Sequence, residues 1–386
     1  MWRERLMEIL PAWGYEVSFV ENGTQAWEAL QQDPEIDILM TDWVMPEMDG
    51  VQLCRRVRRM DRPRYLPIIL LTSRSGKGDL IHGLNSGADA FVPKPFEEAE
   101  LLAQLQVVER ILRLEERLDT QISDLRNAKS QLDRDLGDAA AIQRSLLPEA
   151  PPQIPGLVFA WFYQACKQVG GDMFNVFQLS DDCVGVYVLD VSGHGTSAAL
   201  HSVSLSQVLN PFPLQGGILK REGANGSPSV VVSPSEVAAE LNRRFPLVAQ
   251  SGQYFTFLYG ILRLSSLRFR YVRAGHPGPI AVSQGRAHSC DEGGGVPIGV
   301  LDDPQYRDQE IQLAAGDSLL LFTDGLSEAR NEHADEFGIE RILEVVSSSG
   351  SRGVRHAVKS LDQNLEEFRK LEPQRDDITI LGVSVD

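Results

Sequence analysis

Cys183-Val184-Gly185-Val186-Tyr187-Val188-Leu189-Asp190-Val191-Ser192-Gly193-His194-Gly195 decides the fold of the longer part of the chain. An apolar run of strand length ends in a carboxylate, and glycines follow at once. Three other acidic motifs stand beside strand-like runs: Gly170-Gly171-Asp172, Thr323-Asp324-Gly325 and Asp376-Asp377-Ile378-Thr379. Strand patterns cover Leu157–Tyr163, Cys183–Leu189, Tyr254–Arg263, Leu267–Arg273, Ser318–Phe322 and Ile378–Val385. Helical patterns cover Thr196–Leu209, Pro234–Phe245 and Gly338–Val346, and Leu264-Ser265-Ser266 punctuates a hairpin. The mixture predicts an α+β domain over 148–386, with antiparallel sheets packed against helices. The Gly-, Ser- and Pro-rich stretch Phe212–Ser233 is expected to be a mobile surface insertion.

One Asp-Gly pair is ordinarily a turn, and Gly316-Asp317 and Asp302-Asp303 show how freely this chain uses such pairs. Four of them in this order are more specific. Glycines let backbone approach an ion closely. Oxygen donors without His or Cys suit Mg²⁺ or Mn²⁺. Several carboxylates share one site only when cations offset their repulsion. Two ions bridged by a carboxylate would activate water and clamp a phosphoryl group.

From about Ala139 onward these motifs resemble the metal-dependent (type 2C, PPM) serine/threonine protein phosphatases, bacterial stage-II-sporulation branch. The likeness includes Ala140–Pro148, Arg273-Ala274-Gly275-His276-Pro277 and Gly295-Val296-Pro297-Ile298-Gly299. The resemblance implies that Asp190 bridges two Mn²⁺ or Mg²⁺ ions. Asp324 and Asp376 would complete one ion, and Asp172 with the Val191 carbonyl the other. Many eukaryotic relatives carry glycine where Val191 stands, a change compatible with a backbone ligand. Asp377 is the alternative to its neighbour Asp376. His194 is a candidate proton donor to the leaving serine oxygen, or else it holds the turn before the next helix. His276 is read as bracing a hairpin corner. The branch lacks the phosphate-gripping arginine of many eukaryotic relatives. Arg144, Lys167, Arg243 and Arg244 are candidates for that role, against a solvated-face reading for each.

The first hundred residues read differently. Helices are predicted over Arg3–Trp13 and Thr24–Gln31, and strands over Glu16–Val20, Ile36–Thr41, Pro67–Leu71 and Ala90–Val92. Such alternation implies a parallel sheet covered on both faces, with chemistry at the carboxyl ends of the strands. Asp42, Thr72 and Lys94 fall there. A strand-end carboxylate beside a hydroxyl and a lysine suits acyl-phosphate chemistry. The bond from Lys94 to Pro95 is a candidate cis peptide.

This trio resembles the flavodoxin-like response-regulator receiver over 1–103. The resemblance makes Asp42 the phosphoacceptor and Thr72 and Phe91 the switch pair. It has Val44 offer a carbonyl to Mg²⁺. The family's first strand and its acidic pair are missing from this sequence, and that strand lies inside the sheet. The expectation is that Met1 is not the natural start. Receiver Mg²⁺ binding then depends on restoring the acidic pair.

Between the two domains, 104–147 has no proline, and Ile111, Leu118, Leu125, Leu132, Ala139 and Leu146 recur every seventh residue. A sustained heptad predicts a helical coiled-coil linker, roughly 65 Å long at 1.5 Å per residue, and a parallel homodimer; the alternative is one long helix folded back on its own domain. The second seam, Ile122, Lys129, Leu136 and Gln143, is mixed.

The net charge of −17 argues against nucleic-acid and membrane partners. Cys54, Cys166, Cys183 and Cys290 are scattered as reduced thiols would be, and the start lacks a signal-peptide pattern. These features predict a cytoplasmic protein. The combined resemblance implies a response regulator, phosphorylated by a sensor histidine kinase. Its phosphatase would act on a phosphorylated anti-sigma-factor antagonist in partner switching. The alternative is a non-catalytic adaptor, which should have lost metal carboxylates; Asp172, Asp190, Asp324 and Asp376 are all present.

Overall fold

The computed structural model describes residues 2–62, 64–73, 77–193, 195–211, 217–221, 229–247, 252–349 and 352–386. It divides into two compact units, Met1–Ser130 and Gln131–Asp386.

In the first unit, helices α1 (Trp2–Ala12) and α2 (Gly23–Gln32) precede strand β1 (Leu39–Asp42). Then come α3 (Gly50–Val57), β2 (Ile68–Thr72), α4 (Lys77–Asn85), β3 (Ala90–Pro93) and α5 (Glu98–Ser145). The strands form a three-stranded sheet in the order β1-β2-β3, parallel throughout. Its two faces are both covered, as continuous apolar strands require. Leu39, Ile68 and Leu70 pack with Ala26, Leu30, Leu53 and Val57 on one side. Ile69, Leu71, Ala90 and Val92 pack with Leu6, Leu10, Leu101 and Leu105 on the other.

The strand expected at Glu16–Val20 is not formed. Its alternation is real, because Tyr15, Val17 and Phe19 are half-buried while Glu16, Ser18 and Val20 are exposed. A strand also needs a neighbour for its backbone groups, and β1 pairs only with β2 among the described residues.

The linker helix is longer than expected, 48 residues from Glu98 to Ser145. Leu101, Leu105 and Val108 bury its first turns in the first unit's core. Ala140 and Gln143 are buried in the second. Between them Leu118, Leu125 and Leu132 are exposed at 52%, 71% and 57%.

In the second unit come β4 (Leu157–Gln164), β5 (Met173–Ser180), β6 (Cys183–Val191) and α6 (Thr196–Val208). They are followed by β7 (Lys220–Arg221), β8 (Val230–Val231), α7 (Pro234–Arg244), β9 (Phe255–Arg263) and β10 (Arg268–Ala274). The chain continues through β11 (Ile280–Ser283), β12 (Arg286–Ser289), β13 (Gln309–Gln312) and β14 (Ser318–Phe322). It ends with α8 (Asp324–Ser327), α9 (Gly338–Ser349), α10 (Val354–Arg369) and β15 (Ile378–Val385). Two five-stranded sheets form, in the orders β13-β10-β9-β6-β5 and β12-β11-β14-β15-β4, antiparallel throughout.

Their inner faces share one core, in which Phe174, Val186, Val188 and Leu258 meet Phe159, Leu319, Leu321 and Leu381. The outer face of the first sheet carries α6 and α7 through Leu205, Val237 and Leu241. That of the second carries α9 and α10 through Ile342, Val346, Ala357 and Leu361. Of the expected insertion, β7 and β8 form a two-stranded ribbon; residues 212–216 and 222–228 lie outside the described residues.

Candidate active site

Strand register brings the four acidic motifs to one end of the sandwich. Met173 pairs with Leu189, which sets Asp172 beside Asp190 where β5 begins and β6 ends. Phe322 pairs with Ile380, which sets Thr323 and Asp324 beside Thr379 and the Asp376-Asp377 pair. The close approach demands small residues. A Cβ on Gly325 would stand 1.9 Å from the Asp377 carbonyl oxygen, and one on Gly171 would stand 2.8 Å from the Val191 carbonyl oxygen.

Asp172 is almost wholly buried. Its Oδ2 accepts hydrogen bonds from Thr323 Oγ1 at 2.7 Å and Thr379 Oγ1 at 2.6 Å. Its Oδ1 is buried without a hydrogen-bond partner. Burial, then the charges of Asp190 and Asp377, push its carboxyl well above the usual range. Asp190 is pushed up to about 8 by burial and then by the charges of Asp324, Asp376 and Asp377. Asp324 is pushed up to about 6 by burial and then by Asp376. Each carboxylate is felt by its neighbours, which like charges impose when gathered in low dielectric.

The adjacent acids differ. Asp377 is buried and faces inward: its Oδ1 accepts from Cys166 N at 2.7 Å, and its Oδ2 from Gly171 N at 2.5 Å and Asp172 N at 3.4 Å. It is the clamp on the Gly170-Gly171-Asp172 loop. Asp376 is exposed, and its Oδ1 accepts from Asp377 N at 2.8 Å.

The donor set fits a divalent cation. All its side-chain donors are carboxylate oxygens, burial and neighbouring charges raise the pKa values of Asp172, Asp190 and Asp324, and the buried Oδ1 of Asp172 lacks a donor. Among the described residues no three His, Cys, Asp or Glu side chains are gathered tightly enough to enclose an ion. Repulsion opposes such gathering, and the two threonines hold Asp172 to one side.

His194 lies outside the described residues. His276 is buried, and its Nδ1 is 2.7 Å from Thr256 Oγ1, on the strand beside Asp190. Burial holds its pKa down to about 3, so it stays neutral. Arg243 and Arg244 both pair with Glu240, at 2.6 and 2.7 Å. Gln143, read from sequence as a seam residue within the Ala140–Pro148 stretch and given no role at the site, is buried on it. Its Nε2 donates to Gly170 O at 2.7 Å and Ser202 Oγ at 3.0 Å, and its Oε1 accepts from Gly170 N at 3.1 Å.

In the first unit, Asp42, Thr72 and Lys94 meet at the carboxyl ends of β1, β2 and β3. Lys94 N donates to Thr72 O at 2.6 Å, and Lys94 Nζ is ion-paired to Asp42. The Asp42 side chain is 40% exposed while that of Lys94 is 15% exposed, so the carboxylate is open to an incoming group and the lysine backs it. Thr72 is fully buried, Phe91 is half-buried against the core that holds Trp43, and Val44 lies on the exposed turn after β1. The Lys94–Pro95 bond is cis.

A three-strand parallel unit with this strand-end trio, joined to a sandwich with an acidic end, defines a receiver domain coupled to a PP2C-type phosphatase domain. Residues 180–386, more than half the chain, match the model of the Stage II sporulation protein E (SpoIIE) family, and the chain belongs to that family. Residues 1–106 match the response regulator receiver domain. The phosphoserine phosphatase RsbU of Bacillus subtilis (strain 168) is 25% identical over 261 residues, 67% of this chain and 72% of that protein. Chemotaxis protein CheY1 of Helicobacter pylori (strain J99 / ATCC 700824) is 38% identical over 107 residues, 28% of this chain and 86% of that protein. Among solved structures, the SiaA-PP2C domain of Pseudomonas aeruginosa shares the fold, with a TM-score of 0.55 and 22% identity over 67% of this chain and 99% of that one. No helix among the described residues is long and apolar enough to cross a membrane.

Proposed function

We propose that the chain is a response regulator whose output is metal-dependent hydrolysis of phosphoserine or phosphothreonine on a protein, with an anti-sigma-factor antagonist as substrate. The observation that carries this reading is the meeting of four acidic motifs at one end of the sandwich, where burial and then neighbouring carboxylates push Asp172, Asp190 and Asp324 above the usual range. A non-catalytic adaptor would have no reason to keep that costly arrangement.

Asp190, Asp324 and Asp376 would hold one Mn²⁺ or Mg²⁺, and Asp190, Asp172 and the Val191 carbonyl the other. When bound, such ions activate water and neutralise phosphoryl charge. Thr323 and Thr379 fix the Asp172 carboxylate, and Asp377 fixes the loop that presents it. His194 is the proposed proton donor to the leaving oxygen.

At the other end of the chain, a sensor histidine kinase would phosphorylate Asp42, with Lys94 pairing the phosphoryl charge and Thr72 and Phe91 switching. Receiver Mg²⁺ would need an acidic pair in addition to the Val44 carbonyl. A second copy would pair along 104–147, covering the exposed Leu118, Leu125 and Leu132. Sedimentation of Leu125→Asp as a monomer would support that pairing.

The decisive experiment is hydrolysis of a phosphoserine peptide with Mn²⁺ and with chelator, for wild type and Asp190→Asn. Removing the bridging carboxylate should lower the rate by orders of magnitude. Metal-independent turnover, or full activity of the variant, would refute the reading.

A further inference from the structure

Against the acidic end of the sandwich lies a polar pocket of about 180 Å³. Gly325 and Asp376 line it, so it opens on the carboxylate cluster, and Arg330, Arg369 and Arg375 stand around it with Glu328. The three arginines are not equivalent. Arg330 Nη2 is paired with Glu336 at 2.9 Å, and Arg375 Nη2 is 4.0 Å from Glu372. Arg369, the last residue of α10, makes no ion pair with a carboxylate among the described residues. Its Nη1 reaches Gln374 Oε1 only at 3.5 Å, and its Nε is buried without a hydrogen-bond partner. A buried donor left this way has lost its water without gaining an acceptor. The acceptor that matches a guanidinium fork is a planar oxyanion.

We propose that this pocket is a specificity site, in which Arg369 receives an acidic side chain flanking the phosphorylated residue of the protein substrate. The proposal rests on the phosphatase reading and names a feature of its substrate. The lining charges favour a carboxylate over free phosphate. Of the three arginines only Arg369 has no carboxylate partner among the described residues, so the pocket offers one uncommitted positive charge, which matches a carboxylate rather than a dianion. The chain's net charge of −17 repels an acidic substrate at long range. Screening limits that field to about 8 Å at physiological salt, so the uncommitted guanidinium of Arg369 decides.

The test compares kcat/KM of the metal-loaded full chain for two phosphoserine peptides. One carries glutamate on both sides of the phosphoserine, and the other carries glutamine. Wild type should prefer the glutamate peptide about tenfold, the size of one well-formed charge-assisted hydrogen bond. Arg369→Gln should erase most of that preference through a higher KM for the glutamate peptide, and Arg369→Lys should keep part of it. The wild-type comparison stands whether or not a variant folds. Turnover of both peptides with equal kcat/KM, or a preference untouched by Arg369→Gln, would overturn the pocket while leaving the phosphatase reading intact. Turnover of neither peptide would refute the phosphatase reading, and the pocket with it.

Discussion

Replacing each of two adjacent carboxylates by its isosteric amide should separate scaffold from chemistry. In Asp377→Asn, one side-chain atom that now accepts a backbone N–H becomes an NH₂ group facing it. Asp377 serves Cys166 N and Gly171 N through different oxygens, at 2.7 and 2.5 Å, so either orientation of the amide leaves a donor against a donor. An unsatisfied buried donor costs about 1–3 kcal/mol. The loss of charge acts in the opposite sense, because Asp377 raises the pKa values of Asp172 and Asp190. That relief is small at neutral pH, where Asp190, with its pKa near 8, is already largely protonated without metal. Net destabilisation of about 2 kcal/mol should lower the melting temperature of the phosphatase unit by roughly 4–8 °C.

Asp376→Asn should do the reverse. Its Oδ1 can still accept from Asp377 N, at 2.8 Å in the wild type, and the charge it removes is one that raises Asp190 and Asp324. Metal-free stability should hold or rise slightly, while Mn²⁺-dependent turnover of a phosphoserine peptide should fall about a hundredfold or more. Thermal melting in chelator at pH 7, run beside the turnover assay, measures both. A stable, inactive Asp377→Asn beside an unstable Asp376→Asn would refute the assignment of the two roles.

Asp190 and Asp324 carry pKa values raised to about 8 and about 6 from 3.8. Between 3.8 and those values the folded metal-free protein holds more protons than the unfolded chain, so its stability should fall as pH rises through that window. Melting in chelator should therefore worsen from about pH 5 to 9, and saturating Mn²⁺ should restore most stability at the alkaline end. A chelated protein that melts higher at the alkaline end would contradict this. Gln143→Ala strips Gly170 of hydrogen bonds at both its N–H and its C=O. It should cost about 2–3 kcal/mol and weaken Mn²⁺ binding about 10–100-fold, read by melting and by metal titration. In the receiver, a Cβ at Gly50 would stand 2.2 Å from the Asp42 carbonyl oxygen. Gly50→Ala should destabilise that unit by about 2 kcal/mol or more, followed by the fluorescence of the buried Trp43.

What could be read in advance depended on whether the signal was local. The strand-end acids were legible because an apolar run, a carboxylate and a glycine lie within a few residues; Ser318–Phe322 and Ile378–Val385 match the observed strands to the residue. Glu16–Val20 shows the limit: its alternation is local, but a strand exists only through a neighbour supplied by distant sequence. The choice between Asp376 and Asp377 is likewise long-range, resting on contacts with Cys166 and Gly171, more than 200 residues away. Thr323 and Thr379 stood inside quoted motifs, but nothing nearby tells a hydroxyl that holds a carboxylate from one that caps a helix. Helix α10 is another case. Val354, Ala357, Val358, Leu361 and Leu365 recur at helical spacing and are buried, so the helix was legible, though it was not among those expected. That it ends in an arginine with an unsatisfied Nε, beside a pocket opening on Asp376, was not legible. Only the packing of α10 on its sheet brings Arg369 there, and the same packing makes it a residue through which an acidic substrate can be chosen.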